Sequence, residues 1–180
     1  MESTTLEPVL SHGGVCIIPL NKGRIAMIDE ADLYREFSAI NRGGELRTFV
    51  LCERIWRVEG GIKAYAATGI GDETILMHRM LMETPETLYV DHVNGITLDN
   101  RRCNLRNCTN SQNQANTSAR KGAFKGVHFV PRYKKWSAAI RHNYKMQNIG
   151  LFENEVDAAR AYDARAVELF GEFAKLNLPK

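Results

Sequence analysis

Residues 91–113 bring together polar side chains whose types and spacing suit phosphate chemistry. Asp91 and His92 adjoin, Asn104 follows the histidine by twelve residues, and Asn113 comes nine residues later. A carboxylate and an amide oxygen are hard ligands that Mg²⁺ accepts beside its waters and substrate phosphate oxygens. An imidazole that is mostly neutral at working pH can draw a proton from an attacking water. The group therefore predicts a single-metal phosphodiesterase centre that uses Mg²⁺ or Mn²⁺.

Two strands and a short helix must hold these side chains. Residues 88–92 and 104–109 have strand patterns around a loop that contains Asn-Gly and Asp-Asn, and residues 110–117 favour a short polar helix. If the strands pair and the helix lies across them, Asp91 and Asn113 provide the metal ligands from different elements. Under another helix register, an asparagine at position 110 or 116 takes the place of Asn113.

The other two polar residues act on the water and on the loop. His92 points to the opposite strand face from the neighbouring carboxylate and is the predicted general base. Asn104 either orients His92 or ties the loop by hydrogen bonds, which is a supporting catalytic role. Upstream, residues 74–82 are rich in Leu and Met and are predicted to form a helix.

A tract whose charged side chains are all basic adjoins this group. From Asn100 to Phe152 the chain carries eleven Lys or Arg and no Asp or Glu. Residues 1–100 hold nine basic and fifteen acidic side chains, whereas residues 101–180 hold fifteen and six. Clustered positive charge releases counterions from a phosphate backbone, so the C-terminal half is predicted to bind a polyanion. The cations considered for phosphate contact are Arg79, Arg106, Lys134 and Lys135, of which the last two fit a solvated turn equally well.

The remaining patterns predict an α+β protein. Residues 1–70 form a β-rich module that includes a hairpin over 15–29 and β-leaning segments at 46–58 and 62–67. Support of the following segment is its expected role, and a second contact to DNA is the alternative. A nuclease unit at 71–118 and a linker at 119–122 follow. Residues 123–180 then show three strands (125–130, 136–141 and 146–151) and a helix over 155–170, with Asn154 as its N-cap and Gly171 at its end. Strand alternation turns Trp136 toward the core of this part.

The spans MHRMLM and VDHVNGITLDNRRCNLRNCTNSQNQAN resemble the HNH endonucleases, especially the phage and intron-associated homing type. The resemblance covers residues 74–116, with the Asp-His pair, the loop, the Asn-Leu-Arg strand and the Asn-bearing helix in order. It implies a ββα-metal fold with the roles given above for Asp91, His92, Asn104 and Asn113. Asn113 stands where many members carry histidine, although asparagine also occurs there in the homing branch. The paired Cys-x-x-Cys motifs of zinc-binding members are absent, so no structural zinc is expected.

The spans FKGVHFVPRYKKWSAAIRHN, MQNIGLF and EVDAARAYDARAVELFGEFAKLN resemble the APETALA2-type DNA-binding domain. The resemblance implies a three-stranded antiparallel sheet set in the major groove, with the helix packed behind it. Lys125, His128 and Asn148 occupy positions that contact DNA in that family, and Arg141 can contact guanine or phosphate. Because this chain departs from the plant pattern at several sheet positions, the plant recognition sequence does not transfer.

Size and composition argue against several other classes of protein, including disulfide-rich, secreted and membrane-spanning ones. At 180 residues, 44% hydrophobic and 25% charged, the chain has room for one domain or two small ones. Its four cysteines are too scattered for a disulfide framework, its first residues lack the pattern of a signal peptide, and no apolar run has the length of a membrane span. A cytoplasmic protein, monomeric or homodimeric, is expected to act on host nucleoid DNA.

Three functional hypotheses follow from these patterns. The first is a metal-dependent DNA endonuclease of homing type, from a phage or mobile element, which hydrolyses phosphodiester bonds in double-stranded DNA. The second is a DNA-binding transcriptional regulator with a vestigial nuclease unit, and metal-dependent cleavage separates it from the first. The third is an RNA-binding module, which competition between duplex DNA and RNA tests.

Overall fold

The computed structural model describes residues 9–11, 13–40, 46–50, 57–59, 64–70, 73–119 and 122–179. The chain forms two compact units, Met1–Asn107 and Cys108–Lys180. Short antiparallel sheets and helices build both, which confirms the predicted α+β class. Among the described residues, no helix combines the length and the apolar character that crossing a membrane requires.

The first unit consists mainly of short antiparallel strands. They pair in the orders β1-β2-β3, β4-β5, β6-β7-β8 and β10-β9. The elements are β1 (Val9–Ser11), β2 (Val15–Pro19), β3 (Ile25–Asp29), α1 (Glu30–Leu33), β4 (Glu36–Ile40), β5 (Leu46–Val50), β6 (Arg57–Glu59), β7 (Tyr65–Ile70), β8 (Glu73–Leu76), α2 (Met77–Leu81), β9 (Tyr89–His92) and β10 (Leu105–Cys108), whose last residue begins the second unit.

The core of the first unit joins the N-terminal sheet to the predicted nuclease segment. Side chains of β2 and β3 alternate between buried and half-buried, because successive residues of a strand face opposite sides. The buried residues Ile18 and Ile28 belong to the same apolar cluster as Leu81 of α2, Val90 of β9 and Leu105 of β10. Through this core the N-terminal sheet packs on α2, β9 and β10, as the supporting role expected for residues 1–70 requires.

Backbone pairing also fixes the loop after β9 to the N-terminal sheet. The Met27 N–H of β3 donates to the Leu98 carbonyl at 2.9 Å, and the Asn100 N–H donates to the Met27 carbonyl at 2.7 Å. The Arg102 guanidinium binds the buried Asp32 carboxylate through two hydrogen bonds of 2.7 Å. These contacts hold residues 98–102 against the edge of β3.

Most predicted elements of the first unit are confirmed, and one is wrong. The 15–29 hairpin and the strands around residues 88–92 and 104–109 form within one or two residues of the predicted bounds. The helix predicted over 74–82 begins only at Met77, because Thr74 and Ile75 belong to β8 and pair with Gly69 and Thr68 of β7. Branched β-carbons favour strands, which outweighs the weak helix tendency of this short segment. The predicted β-leaning residues 51–56 and 62–63 lie outside the described residues.

The second unit is a three-stranded antiparallel sheet packed on one long helix, as predicted. Strand order is β11-β12-β13, and the short helix α3 precedes the sheet. The elements are α3 (Asn110–Ala115), β11 (Val127–Val130), β12 (Lys135–His142), β13 (Lys145–Phe152) and α4 (Glu155–Phe170). Ala138 and Ile140 of β12 are buried against α4, and Trp136 packs at the edge of the same core, which confirms its predicted position.

Capping residues define both ends of α4. The Asn154 side chain accepts a hydrogen bond of 2.8 Å from the Asp157 N–H, and the chain leaves the helix at Gly171 with a φ of 54°. Both ends were predicted from the sequence, because these residue types satisfy unpaired groups or adopt backbone conformations that stop a helix. Alanines 158, 159 and 166 are buried, so α4 lies close to the sheet.

Gly126 permits the close approach of β12 and α4 at the start of the sheet. Its φ is +72°, and the Ala139 N–H donates to its carbonyl at 2.9 Å. A β-carbon at this position would overlap the Tyr162 ring of α4 and lie 2.5 Å from the Ala139 oxygen. Glycine is therefore required here for both conformation and space.

The Gly126→Ala substitution should destabilise the second unit by roughly 2–5 kcal/mol, because it adds overpacking to the cost of a positive φ. Gly122→Ala is the matched control, since its φ is +79° and its β-carbon would meet open space; it should cost only about 1–2 kcal/mol. Hydrogen exchange of the β12 amides in the full chain measures both. Equal losses in the two variants would contradict the steric argument.

Candidate functional site

Asp91 and Arg106 form a buried ion pair across β9 and β10. Asp91 is 4% exposed, and its Oδ2 accepts hydrogen bonds from Arg106 Nε at 2.9 Å and Nη2 at 2.7 Å. A buried carboxylate needs such a partner, because removal from water without compensation is very costly. The predicted metal ligand is thus an oriented carboxylate, while the predicted phosphate contact Arg106 is engaged with it.

His92 lies next to Asp91 and is also buried. Its Nε2 is 3.3 Å from the Asn100 side-chain oxygen, and Asn100 is fully buried. Burial lowers the pKa of His92, since it penalises the charged imidazolium, and the bond to Asn100 and the nearby Asp91 and Asp99 charges partly oppose that shift. The imidazole is therefore held in the neutral form that can accept a proton.

Two aromatic rings surround His92. The His78 ring of α2 meets it edge-on with ring centroids 5.1 Å apart, and the Tyr65 ring of β7 lies 6.2 Å away. His78 is 5% exposed, and within the described part of the chain its Nδ1 is a buried atom without a hydrogen-bond partner. Burial, reinforced by the charges of His92 and Arg79, lowers the pKa of His78 to about 3. A buried imidazole in this position is not available for contact with a phosphate.

Asn104 ties the loop that follows His92. Its side-chain oxygen accepts from the Asn94 N–H at 2.9 Å, and its amide donates to the Asp99 carbonyl at 2.8 Å. Asp99 in turn receives two hydrogen bonds of 2.7 Å from Arg101 and one of 2.8 Å from Asn94. These bonds to the charged form lower the pKa of Asp99 despite its burial. Of the two roles foreseen for Asn104, loop tying is the one that these contacts describe.

Asn113, the second predicted metal ligand, lies on α3 in the second unit and is partly exposed. The helix begins with a capping box, in which the Thr109 hydroxyl accepts from the Gln112 N–H and the Gln112 side chain accepts from the Thr109 N–H. The cap fixes the register, in which the asparagine lies in the middle of the helix. The side-chain oxygen of Asn113 is a hard donor of the kind that Mg²⁺ accepts.

The predicted DNA contacts of the second unit divide into exposed and engaged side chains. Cross-strand partners share a face, and Arg141, Asn148 and His128 stand opposite Met146, Ala139 and Ser137 on the face away from α4. All three are exposed, as is Lys134 in the β11–β12 turn. They form one polar outer face that a polyanion can reach.

Three other side chains that were predicted to contact DNA form bonds within the protein. Arg79 donates to the carbonyls of Thr84, Pro85 and Leu88, which fixes the turn before β9. Lys135 forms an ion pair with Glu153 at 2.8 Å. Lys125 donates to two carbonyls at the end of α3. Their charges stabilise the fold in this conformation.

Sequence reasoning missed the surroundings of His92. The sequence patterns gave no role in the site to Asn100, His78 or Tyr65. No local signal marks Tyr65, because tertiary packing alone brings it to the histidine. The one available signal was a histidine in a helical stretch rich in Leu and Met.

Part of the chain is similar to known HNH endonucleases. Residues 83–115 match the HNH endonuclease family model. The chain is 37% identical over 93 residues to an uncharacterized HNH endonuclease of Acanthamoeba polyphaga mimivirus, an alignment that covers 52% of this chain and 49% of the relative. The chain thus spans about half the length of that curated relative. No solved structure matches the chain.

These matches confirm the predicted resemblance to HNH endonucleases over residues 83–115, and they support a nuclease enzyme. The matched segment contains all four predicted residues of the centre, namely Asp91, His92, Asn104 and Asn113. The family match ends before the three-stranded sheet begins at Val127.

Arg106→Met should destabilise the first unit by about 3 kcal/mol, because it leaves the buried Asp91 charge without its partner. The double variant with Asp91→Asn should recover part of that loss. Arg24→Met, which removes an exposed arginine of the same unit, is the control and should change stability by less than about 0.5 kcal/mol. Urea unfolding measures all three, and additive losses in the double variant would contradict the pairing.

The free energy of unfolding should decrease in acid, because His78 is buried in its neutral form and acid protonates it. Because its folded pKa is about 3, below the ordinary value of 6.5, its contribution is fully present above pH 6.5 and is lost as the pH falls toward 3. The free energy of unfolding should then drop by up to about 1.4 kcal/mol per pH unit for this residue. His78→Leu should show a shallower loss in urea unfolding between pH 7.5 and 4.5. The exposed control His128→Leu should follow the wild type, and equal slopes for both variants would refute the assignment.

Proposed function

We propose that the chain is a metal-dependent DNA endonuclease of homing or mobile-element type. The observation that carries the proposal is the HNH match over residues 83–115, which encloses the buried, neutral His92 beside the oriented Asp91 carboxylate. The viral relative, described as an HNH endonuclease, supports the same class of chemistry. The substrate is double-stranded DNA, and the reaction is phosphodiester hydrolysis.

His92 serves as the general base. It accepts a proton from a water whose oxygen attacks phosphorus, while the bond from phosphorus to the departing sugar oxygen breaks. Asp91 and Asn113 would hold a divalent cation, Mg²⁺ or Mn²⁺, which when bound neutralises charge on the phosphate and the departing oxygen. Arg106 orients the Asp91 carboxylate, and Asn104 maintains the loop that carries Asn100 to the imidazole.

The outer face of the second unit holds the target DNA. Its exposed side chains include Arg141 and Asn148, which can read base edges in the major groove, and Lys134 at a turn, which can contact phosphate. The absence of acidic residues from 100 to 152 keeps the local potential favourable to DNA. Tethering this reader to the nuclease unit raises the effective concentration of the weakly specific centre at its site. One hydrolytic centre per chain makes nicking the expected product.

A DNA-binding regulator with a vestigial nuclease is the second candidate. It is favoured by the Arg106 guanidinium that occupies Asp91 Oδ2 and by the lack, within the described residues, of any cluster of three or more His, Cys, Asp or Glu that could hold a metal. Binding without cleavage would distinguish this candidate. Competition between duplex DNA and RNA separates both from an RNA-binding module.

Supercoiled plasmid that carries the genomic neighbourhood of the gene should be nicked by the wild type with Mg²⁺ or Mn²⁺ and not with EDTA. His92→Ala should lower the nicking rate by at least about 100-fold, because general-base catalysis contributes 10²–10⁴-fold. Affinity for the same DNA, measured by fluorescence anisotropy in EDTA, should remain unchanged.

His142→Gln is the matched control, since it removes a histidine of the second unit that packs against Phe170. It should nick DNA at the wild-type rate. Tight binding by the wild type with no nicking under any metal would overturn the endonuclease and leave the regulator. Equal cleavage by wild type and His92→Ala would remove His92 from the mechanism.

A further inference from the structure

The ammonium of Lys125 faces the end of α3 rather than the solvent. Its Nζ donates to the Gln114 carbonyl at 2.9 Å and to the Ala115 carbonyl at 2.5 Å. The last carbonyls of a helix lack partners within the helix, and a positive charge at that end also interacts favourably with the helix dipole. Both effects favour the observed orientation of Lys125.

The backbone on both sides of Lys125 is fixed. Its N–H donates to the Asn177 side chain at 2.6 Å, and the Asn177 amide returns a bond of 3.1 Å to the Lys125 carbonyl. Asp163 of α4 accepts a hydrogen bond of 2.8 Å from the Asn177 N–H. Gly126, the residue after Lys125, lies directly against the Tyr162 ring. Partial burial lowers the pKa of the Lys125 ammonium to about 8. Lys125 is thus a built-in part of the sheet unit.

Helix α3 is anchored to the same unit by further contacts. Ala115 belongs to the core beneath the sheet, and its carbonyl accepts a second bond of 3.2 Å from the Lys175 N–H. At the other end, the Asn110 side chain donates to the Tyr144 hydroxyl at 3.3 Å. A helix of six residues is unstable alone, so these contacts maintain it. Asn113, the proposed metal ligand, lies two residues before Ala115.

We infer that Lys125 is a positioning residue for the metal-ligand helix and not a contact to DNA phosphate. The inference rests on the proposed function in so far as Asn113 is a ligand. Two of the three ammonium donors of Lys125 bind α3 carbonyls, and moving the ammonium toward a phosphate would cost the end of the helix these partners. The DNA-reading unit therefore stabilises a part of the nuclease centre through one side chain.

Lys125→Met and Lys134→Met form the test pair, because each removes one lysine charge and Lys134 is exposed in a turn. Hydrogen exchange of the amides of Asn113, Asn116 and Thr117 reports on α3, since each of them bonds within the helix or its final turn. The salt dependence of DNA binding in EDTA counts phosphate contacts, with a slope of about 0.9 per contact. Mn²⁺ binding, followed by electron paramagnetic resonance, reports on the ligand helix without cleavage.

Lys125→Met should speed exchange of the α3 amides at least tenfold, weaken Mn²⁺ binding severalfold and leave the salt slope at the wild-type value. Lys134→Met should lower the slope by about 0.9 and leave exchange and Mn²⁺ binding unchanged. Lys125→Arg, which retains the charge and donors, should restore much of the protection. Unchanged exchange of the β12 and β13 amides shows that the sheet of each variant is folded.

A lowered salt slope with unchanged α3 exchange in Lys125→Met would overturn the inference and make Lys125 a phosphate contact. Faster exchange with unaltered Mn²⁺ binding would overturn the link from Lys125 to the metal ligand. Neither the hydrogen exchange of the amides nor the salt dependence of DNA binding requires DNA cleavage. A wild-type protein that fails to nick DNA would therefore overturn the proposed endonuclease while these two measurements still decide the role of Lys125.

Discussion

The loop between β9 and β10 buries several polar side chains, and each must find a hydrogen-bond partner because water is excluded. Asn104, Asp99 and Asn94 satisfy one another, and Asn100 is turned inward to His92. Their mutual bonds leave little freedom in the backbone of this loop. The hydrogen bonds among these amides and carboxylates therefore orient the imidazole, and the packing around it reinforces that orientation.

The N-terminal sheet supplies the rigid frame for this loop. Met27 of β3 bonds to the loop backbone on both sides of Asp99, and the apolar cluster beneath β2 and β3 continues into β9 and β10. Fixed side chains retain less conformational freedom, so the entropy of ordering the site is lost on folding rather than on substrate binding. The N-terminal sheet thus contributes to the candidate site through stiffness.

Local patterns predicted much of this architecture. The capped helix α4, the sheet register around Trp136 and the strands that carry Asp91 and His92 depend on periodicity and short-range caps, which a sequence displays directly. The ring of His78 beside His92 and the partners of Arg79, Arg106 and Lys125 depend on contacts between distant segments. A basic side chain in the sequence shows its charge but not its partner, and several of these cations are used within the fold.

The anchoring of α3 has a consequence for protein engineering. The linker expected at residues 119–122 would be the natural point at which to exchange the C-terminal sheet and its helix for another domain. A fusion made there would separate the α3 carbonyls from the Lys125 ammonium and the Lys175 N–H that donate to them. It would also separate the Ala115 side chain from its apolar core. A transferable module instead begins near Cys108, where the second compact unit starts, so that the helix accompanies the sheet that supports it.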